Sequence, residues 1–371
     1  MFNSKNRYPI GIDITDQTIY AAQFKKTRQG ISVRELFYRE LNHGLTNEAG
    51  PDDALYPVLK EIAKNRRFRG KCVSIHLPAR HVYSFPITFD IKDDESMENA
   101  MVQECRRHLS FPLEEAVIDY PSILDISSGR GKKFKAMIVA VHRDKIKQYI
   151  HQVKRAGLDV EAIDFNLSSL LRLHHYLYSM TEDPLILCNI GYKQTMIAVV
   201  TQNNILAQRH TPWGVHHLLN RLETSLEISG NREQALAMLG KYGLLYEHHI
   251  IAGNGVSLAE TEDKEDAMEI YRTVFQILSP YVDGLIHEFY QITGYVRSEI
   301  QSVKFKEIFM YGQATAINFL GQYIEKKLNI PTKCINPMGK FILANSNFYD
   351  SAQGAPFALA LGLAMRKVTW L

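Results

Sequence analysis

The chain has 371 residues, 46% of them apolar and 22% charged, with a net charge of +3. That length exceeds the usual span of one domain, and the composition is that of an ordinary globular protein. The small positive excess is no argument for nucleic acid as a partner. No apolar run reaches the roughly 18 residues that a bilayer span needs, and Met1 to Tyr8 lack the apolar centre of a signal peptide. The cysteines Cys72, Cys105, Cys188 and Cys334 lie far apart with no paired spacing, which speaks against a zinc site or a disulfide framework. A cytoplasmic protein with reduced thiols is the expectation.

Residues 8–24 run apolar up to Asp13, polar from Thr15 to Thr18 and apolar again from Ile19. This pattern predicts two strands joined by a tight turn, with one acidic residue near the tip. A third strand is expected over Ile31–Glu40. Asp52 to Arg66 has Ala54, Leu55, Val58, Leu59 and Ile62 at helical spacing. The run from Lys64 to Lys71 carries five basic residues. It is either a solvated helix end leading into a strand or a surface for an anionic partner or lipid. A buried strand, Cys72 to Pro78, follows.

At Pro86 the texture changes. Phe89 to Ser96 has the composition of a charged linker. Met97, Met101, Val102, Cys105 and Leu109 form one helical stripe that ends before Pro112. Strands are expected at Val117–Tyr120 and Phe134–Val141, joined by a polar turn. A helix from Lys145 to Ala156 stops at Gly157, a suitable C-terminal cap. Ala162–Tyr178 is expected to be mostly helical.

A second hairpin then repeats the first. Pro184 to Val200 again passes from an apolar strand through a polar turn to an apolar strand, with Asn189 where Asp13 stood and Gly191 where Thr15 stood. Next are expected a strand at Ile205–His210, a long helical region from Val215 to about Leu245, a loop at Asn254–Gly255 and an acidic face at Glu260–Glu265. A long helix over Ile270–Ile292 follows, then a strand at Phe305–Tyr311 breaking at Gly312. The remaining elements are a helix at Ile317–Leu328, an edge strand at Pro331–Ile335 and a small-residue helix at Gly354–Arg366 that must pack closely against something. Two like hairpins, one opening each half, predict a duplicated α/β fold.

A duplicated lobe with an acidic hairpin in each half is the plan of the actin/Hsp70-type ATPases. Within that superfamily the chain resembles the type IV pilus assembly protein PilM family, relatives of the cell-division protein FtsA. The resemblance is carried by the Ile-Gly-Ile-Asp-Ile opening and by three stretches of one segment: Phe111–Tyr120, Met137–Val141 and Ala156–Val160. The closing run Ala358–Ala364 adds to it.

The resemblance implies a ribonuclease H-like two-lobe α/β fold with a small α+β insert in the first lobe. The implied domains are residues 1–85 with 161–183 and the closing helix 354–366 for the first lobe, and 86–160 for the insert. Residues 184–225 with 305–353 make the second lobe, and 226–304 its helical subdomain. It implies that hairpin amides and their neighbours hold ATP: Asp13, Thr15, Asp16 and Gln17 in the first hairpin, Asn189, Gly191, Gln194 and Thr195 in the second, and Gly312, Gln313 and Ala314 beyond. Asp13 would organise Mg²⁺.

Four of the family's nucleotide motifs are altered here. Its glycine after the first Asp is Thr15, and its lysine is Tyr20. Its second Asp is Asn189, which carries no charge. Its Glu and Lys facing the nucleoside are Leu236 and Leu239, and its glycine-rich adenosine loop begins at Tyr311. Threonine obstructs the close approach that glycine gives a phosphate, and an amide holds Mg²⁺ more weakly than a carboxylate. Asp13 is then either a metal-organising carboxylate or a residue capping its own turn. A pseudo-ATPase is expected, with nucleotide binding weakened or lost.

By the same resemblance, the cytoplasmic N-terminal peptide of a PilN-like inner-membrane protein docks between the first lobe and the insert. The protein would be a docking component that self-associates into a ring and reaches the membrane through its partner, without contacting nucleic acid. The rivals are an ATP-binding switch or slow ATPase, and an FtsA-like filament former. The last of these needs a membrane-targeting tail longer than Arg366–Leu371. The pairs His174-His175, His216-His217 and His248-His249, and the His287-Glu288 step, lack the spacing of a metal site. Lys132–Lys135 is expected at a solvated hairpin tip, or against acidic lipid or a partner.

Overall fold

The computed structural model describes residues 8–28, 30–41, 51–92, 94–127, 132–228, 231–245, 264–343 and 354–366. The chain divides into two units, Met1–Met180 with Pro337–Leu371, and Thr181–Asn336.

Unit 1 begins with strands β1 (Ile10–Ile14), β2 (Thr18–Thr27) and β3 (Gly30–Glu40), helix α1 (Pro51–Lys64) and strand β4 (Cys72–His76). The insert follows: β5 (Val82–Ile91), α2 (Met97–Cys105), β6 (Ala116–Asp125) and β7 (Lys132–His142). Then come α3 (Arg143–Arg155), β8 (Asp159–Asp164) and α4 (Asn166–Leu177).

The period-two alternation of β1 decides its layers. Ile10, Ile12 and Ile14 point to one core, where Leu55, Leu59 and Ile62 of α1 and Tyr149 and Val153 of α3 meet them. Gly11 and Asp13 point to the other side. β1 pairs antiparallel with β2 and parallel with β4, and β4 pairs parallel with β8.

The insert is a three-stranded sheet, β5-β7-β6, with Ala100, Met101 and Cys105 of α2 closing over Ile87, Phe89, Ala136 and Ile138. Its extent differs from the expectation of 86–160. Phe89 to Ile91 are strand, not linker, and β5 reaches back to Val82. Pro86 is tolerated because β5 is an edge strand, where a missing N–H costs no ladder bond. At the other end, α3 packs into the α1 core and β8 joins the main sheet. Ala162 to Asp164 are therefore strand, and the helix begins at Asn166.

Unit 2 carries β9 (Leu185–Ile190), β10 (Thr195–Val200), β11 (Ile205–Thr211), α5 (Val215–Ser225), α6 (Arg232–Lys241), α7 (Lys264–Glu299), β12 (Glu307–Gly312), α8 (Leu320–Leu328) and β13 (Thr332–Cys334). Its sheet runs β11-β10-β9-β12-β13. One face is covered by Leu218, Leu219 and Leu222 of α5, Val274, Leu278, Leu285 and Phe289 of α7, and Leu320 and Ile324 of α8. The expected helical region from Val215 to Leu245 is two helices: α5 ends at Ser225, and Asn231 caps α6 by accepting from the Gln234 amide at 3.1 Å. The loop expected at Asn254–Gly255 lies outside the described residues, as does His248-His249. So does most of the Glu260–Glu265 face.

The chain then returns to unit 1. β14 (Ile342–Leu343) pairs parallel with β3, so residues from Pro337 belong with unit 1 rather than with a second lobe running to 353. Likewise unit 2 starts at Thr181, whose carbonyl accepts from the Gln202 amide at 2.9 Å.

The expected closing helix is a 3₁₀ turn followed by α9 (Ala358–Ala364). It is fully buried between β1 and α4. The approach is so close that a Cβ on Gly11 would lie 2.1 Å from the Ala360 carbonyl, and one on Gly362 would lie 2.1 Å from the Ser169 carbonyl. The small residues at 358–364 thus have their close partner.

Candidate functional site

The first hairpin closes at Ile14 opposite Ile19. Thr15 organises its turn. The Thr15 amide donates to the Thr18 carbonyl at 3.0 Å, and its hydroxyl donates to the same oxygen at 2.8 Å. That hydroxyl also accepts from the amides of Gln17 (3.3 Å) and Thr18 (2.9 Å). The Gln17 carbonyl accepts from the Leu41 amide at 2.7 Å, and Asp16 pairs with Arg80. The amides of Thr15, Gln17 and Thr18 therefore serve the turn itself.

Asp13 does not cap the turn. It is buried, and its Oδ1 lies 3.2 Å from His76 Nδ1 at the end of β4. His76 Nε2 lies 2.5 Å from the Ser169 hydroxyl on α4. With Nδ1 donating to the carboxylate, Nε2 accepts from the hydroxyl. The order Asp–His–Ser is that of a hydrolase relay, but His76 and Ser169 are fully buried and Asp13 almost so. No substrate can reach the hydroxyl, so the relay is a clamp joining β1, β4 and α4.

Beside it, Arg172 donates to Asp164 Oδ2 at 2.5 Å, to the Gly362 carbonyl at 2.7 Å and to the Ser168 hydroxyl at 3.1 Å. Arg366 adds a second guanidinium to Asp164 at 3.3 Å. Burial, the largest single influence, pushes the Asp164 carboxyl up, but Arg172, His76 and the Phe165 amide together outweigh it and hold the group below the usual carboxylate range.

In unit 2, Asn189 sits opposite Met196, and Thr195 opposite Ile190. The Gly191 amide donates to the Gln194 carbonyl at 2.9 Å, closing the second hairpin, and the Thr195 hydroxyl donates to the Trp213 carbonyl at 2.7 Å. The N-terminus of α5 abuts this turn. The amides of Val215 and His216 donate to the carbonyls of Gly191 (3.1 Å) and Tyr192 (3.0 Å). Those helix amides, a ready anion site elsewhere, are taken by the hairpin.

β12 runs parallel beside β9 and ends at Gly312, opposite Ile190. Gly312 has φ +87, and a Cβ there would lie 2.4 Å from the Ile190 carbonyl, so glycine is required. Gln313 and Ala314 follow in a 3₁₀ turn, Ala314 in the core. Tyr311 is fully buried, which leaves its ring no open face for stacking on a base. Leu239 of α6 is buried in the unit 2 core and Leu236 is exposed.

The structure thus gathers Asp13, Thr15, Asp16 and Gln17 at one hairpin. It gathers Asn189, Gly191, Gln194, Thr195, Gly312, Gln313 and Ala314 at the other. Residues that pattern reading missed are His76, Arg80, Asp164, Ser169 and Arg172. The Ile75-His76-Leu77 step, a histidine inside an apolar strand, was the available signal. Of the histidine pairs, His174 is buried on α4 and stacks on Tyr178. Burial lowers its pKa to about 4, the neighbouring His175 adding to this. His216 and His217 bind backbone around Tyr192 and Gly214. Among the described residues no three His, Cys, Asp or Glu side chains gather as a metal site, and no helix is long and apolar enough to cross a membrane.

The sequence model of the family described as type IV pilus assembly protein PilM matches residues 11–273 and 243–368. Among solved structures, the PilM–PilN type IV pilus biogenesis complex contains a chain similar over 98% of this chain and 100% of its own, at 19% identity and a TM-score of 0.74. At that identity the likeness concerns the fold. The ethanolamine utilization protein EutJ from Carboxydothermus hydrogenoformans aligns over 96% of this chain and 89% of its own, at 14% identity and a TM-score of 0.49. MreB5 of Spiroplasma citri bound to ADP aligns over 90% and 95%, at 13% identity and 0.48. These last two are too loose to carry an argument. The fold is the actin-like, duplicated α/β fold that the paired hairpins predict. With its family pattern spanning nearly all of the sequence, the chain belongs to the type IV pilus assembly protein PilM family.

Proposed function

We propose that this pilus assembly protein is a cytoplasmic scaffold that binds the cytoplasmic N-terminal peptide of a PilN-like inner-membrane protein, and that it does so without nucleotide. The observation that carries the second part is the internal use of the hairpin donors. Thr15 Oγ1 takes the Gln17 and Thr18 amides, His76 takes Asp13, Arg80 takes Asp16, and the second hairpin takes the α5 amides. Asn189 adds no negative charge. Amides and carboxylates engaged in this way are not open to a magnesium nucleotide, which needs unpaired amides for phosphate and a carboxylate free for the metal.

Support for the first part comes from the similar chain in the PilM–PilN complex and from the insert. β6 is an edge strand with Val117, Tyr120 and Leu124 exposed along it. An extended peptide gains affinity from backbone bonds and register from such side chains. The peptide site is expected between the first lobe and the insert, and the bound protein would sit at the membrane through its partner.

Calorimetry with a PilN-type N-terminal peptide is expected to give the same affinity with and without magnesium-ATP, and ATP alone is expected to give no heat. Absence of peptide binding in both conditions would remove the scaffold reading. Binding only with ATP would replace it by a nucleotide switch. The double variant Thr15→Gly with Asn189→Asp is expected to remain without ATP binding, because His76 and Arg80 still hold the two aspartates.

A further inference from the structure

The basic run that the scaffold reading leaves unused has a definite place in unit 1. β1, β4 and β8 run parallel, so the segments entering them lie at one end of the sheet. The segment 65–71 enters β4, and the turn after α3 enters β8, with the Asp159 amide donating to the Lys71 carbonyl at 2.8 Å. β2 runs past the start of β1 to the same end, and its Gln23 grips the segment. Gln23 Nε2 donates to the Arg69 carbonyl at 2.8 Å, and Gln23 Oε1 accepts from the Arg69 amide at 2.8 Å. This end therefore presents Lys26 and Arg28 of the β2–β3 hairpin, Arg66, Arg69 and Lys71, and Lys154 of α3, all exposed. It lies at the opposite end of β1 from the Thr15 turn.

Acids there include Glu35, which pairs with Arg67 at 3.8 Å, and exposed Asp159. Among the described residues Arg66, Arg69, Lys71 and Lys154 have no carboxylate partner. The backbone is already used: the amides of Arg67, Phe68 and Arg69 donate to Asn65 Oδ1, the Asn65 carbonyl and Gln23. These three successive amides are therefore not open to a phosphate. Only long cationic side chains spread over three loops remain, and such a set matches an extended sheet of anionic headgroups rather than a single ion.

We propose that this end of unit 1 rests on an anionic membrane leaflet. The proposal builds on the reading that the chain works at the membrane, and it supplies a direct contact beside the partner peptide. Each Lys or Arg brought to an anionic leaflet strengthens binding about fivefold. The attraction falls within a Debye length and is screened by salt.

The test is co-sedimentation of the full chain with phosphatidylethanolamine vesicles containing phosphatidylglycerol, and with phosphatidylcholine vesicles. Binding to the first only, weakened by salt, is expected. The triple variant Arg66→Glu, Arg69→Glu, Lys71→Glu should lose on the order of a hundredfold, while Lys132→Glu with Lys133→Glu at the insert tip should keep it. Failure of the unaltered protein to bind the anionic vesicles overturns the proposal. So does equal binding by the triple variant, or tighter binding of single-stranded DNA by the same residues. Calorimetry of the triple variant with the partner peptide separates the two readings. Peptide binding without vesicle binding removes only the basic end, and vesicle binding without peptide binding removes only the scaffold.

Discussion

Replacing Arg172 by leucine is expected to destabilise unit 1 by about 3–5 kcal/mol, because it leaves the Asp164 carboxylate buried without its main partner. Asp164 is 5% exposed and Arg172 13%, so solvent does little to screen the pair. The guanidinium also ties the Gly362 carbonyl of α9 and the Ser168 hydroxyl of α4, and leucine replaces neither bond. Arg366 is more exposed and reaches Asp164 at 3.3 Å, too loosely to substitute.

The loss should depend on pH in a definite direction. In the native protein the Asp164 pKa is depressed, so its stabilisation is present above the unfolded carboxylate pKa and fades as pH falls through the lower folded value. In the variant, burial without Arg172 raises that pKa, so protonation relieves the penalty. The gap between the two proteins should be widest near neutrality and narrow towards acid. Urea denaturation at several pH values measures it. A gap constant with pH, or a difference below 1 kcal/mol by the linear extrapolation, would show that Asp164 is not paired in this way.

Gly11→Val is the second large effect. The new Cβ would lie 2.1 Å from the Ala360 carbonyl, 2.5 Å from the Ala364 amide and 2.8 Å from Leu363 Cβ. The first two are backbone atoms of a buried helix, so no rotamer change relieves the clash. Either α9 moves off β1 or the strand shifts, at a cost of about 3 kcal/mol or more. The expected result is a lower melting temperature with new proteolytic cleavage near 354–366. Gly157→Ala is the contrast: its site has open space but φ +87, so only backbone strain of about 1 kcal/mol is expected. Equal melting temperatures for the two variants would show that α9 does not sit against β1.

The elements were legible where periodicity was strong. Ile10, Ile12 and Ile14 alternate, and Leu55, Leu59 and Ile62 repeat at helical spacing, so both elements and their buried faces follow from pattern alone. What pattern does not contain is allegiance. The stripe of α3 announces a helix but not that Tyr149 and Val153 pack under α1 instead of the insert. Pro86 and Asp90 have linker composition, yet an edge strand tolerates both. The break between α5 and α6 depends on the Asn231 cap, which a continuous apolar stripe obscures. The site was half legible. Asp13 and the Thr15 turn stand out, but His76 lies 63 residues from Asp13 and Ser169 a further 93 residues along. Nothing local marks Ser169 as their neighbour. The erosion of the glycine at Thr15 was visible. That its hydroxyl would occupy the amides a phosphate needs was a matter of geometry.

The position of α9 has a consequence for how the molecule is made. Its residues lie beyond the whole of unit 2 in the chain, yet they fill the space between β1 and α4. On the ribosome, Thr181–Asn336 emerges as an uninterrupted stretch and can reach its final core while synthesis continues. The earlier segment, Met1–Met180, must wait with the Gly11 face of its sheet bare until residues 354–366 arrive. A nonsense codon after Asn336 would therefore damage the part translated first and spare the part translated just before it.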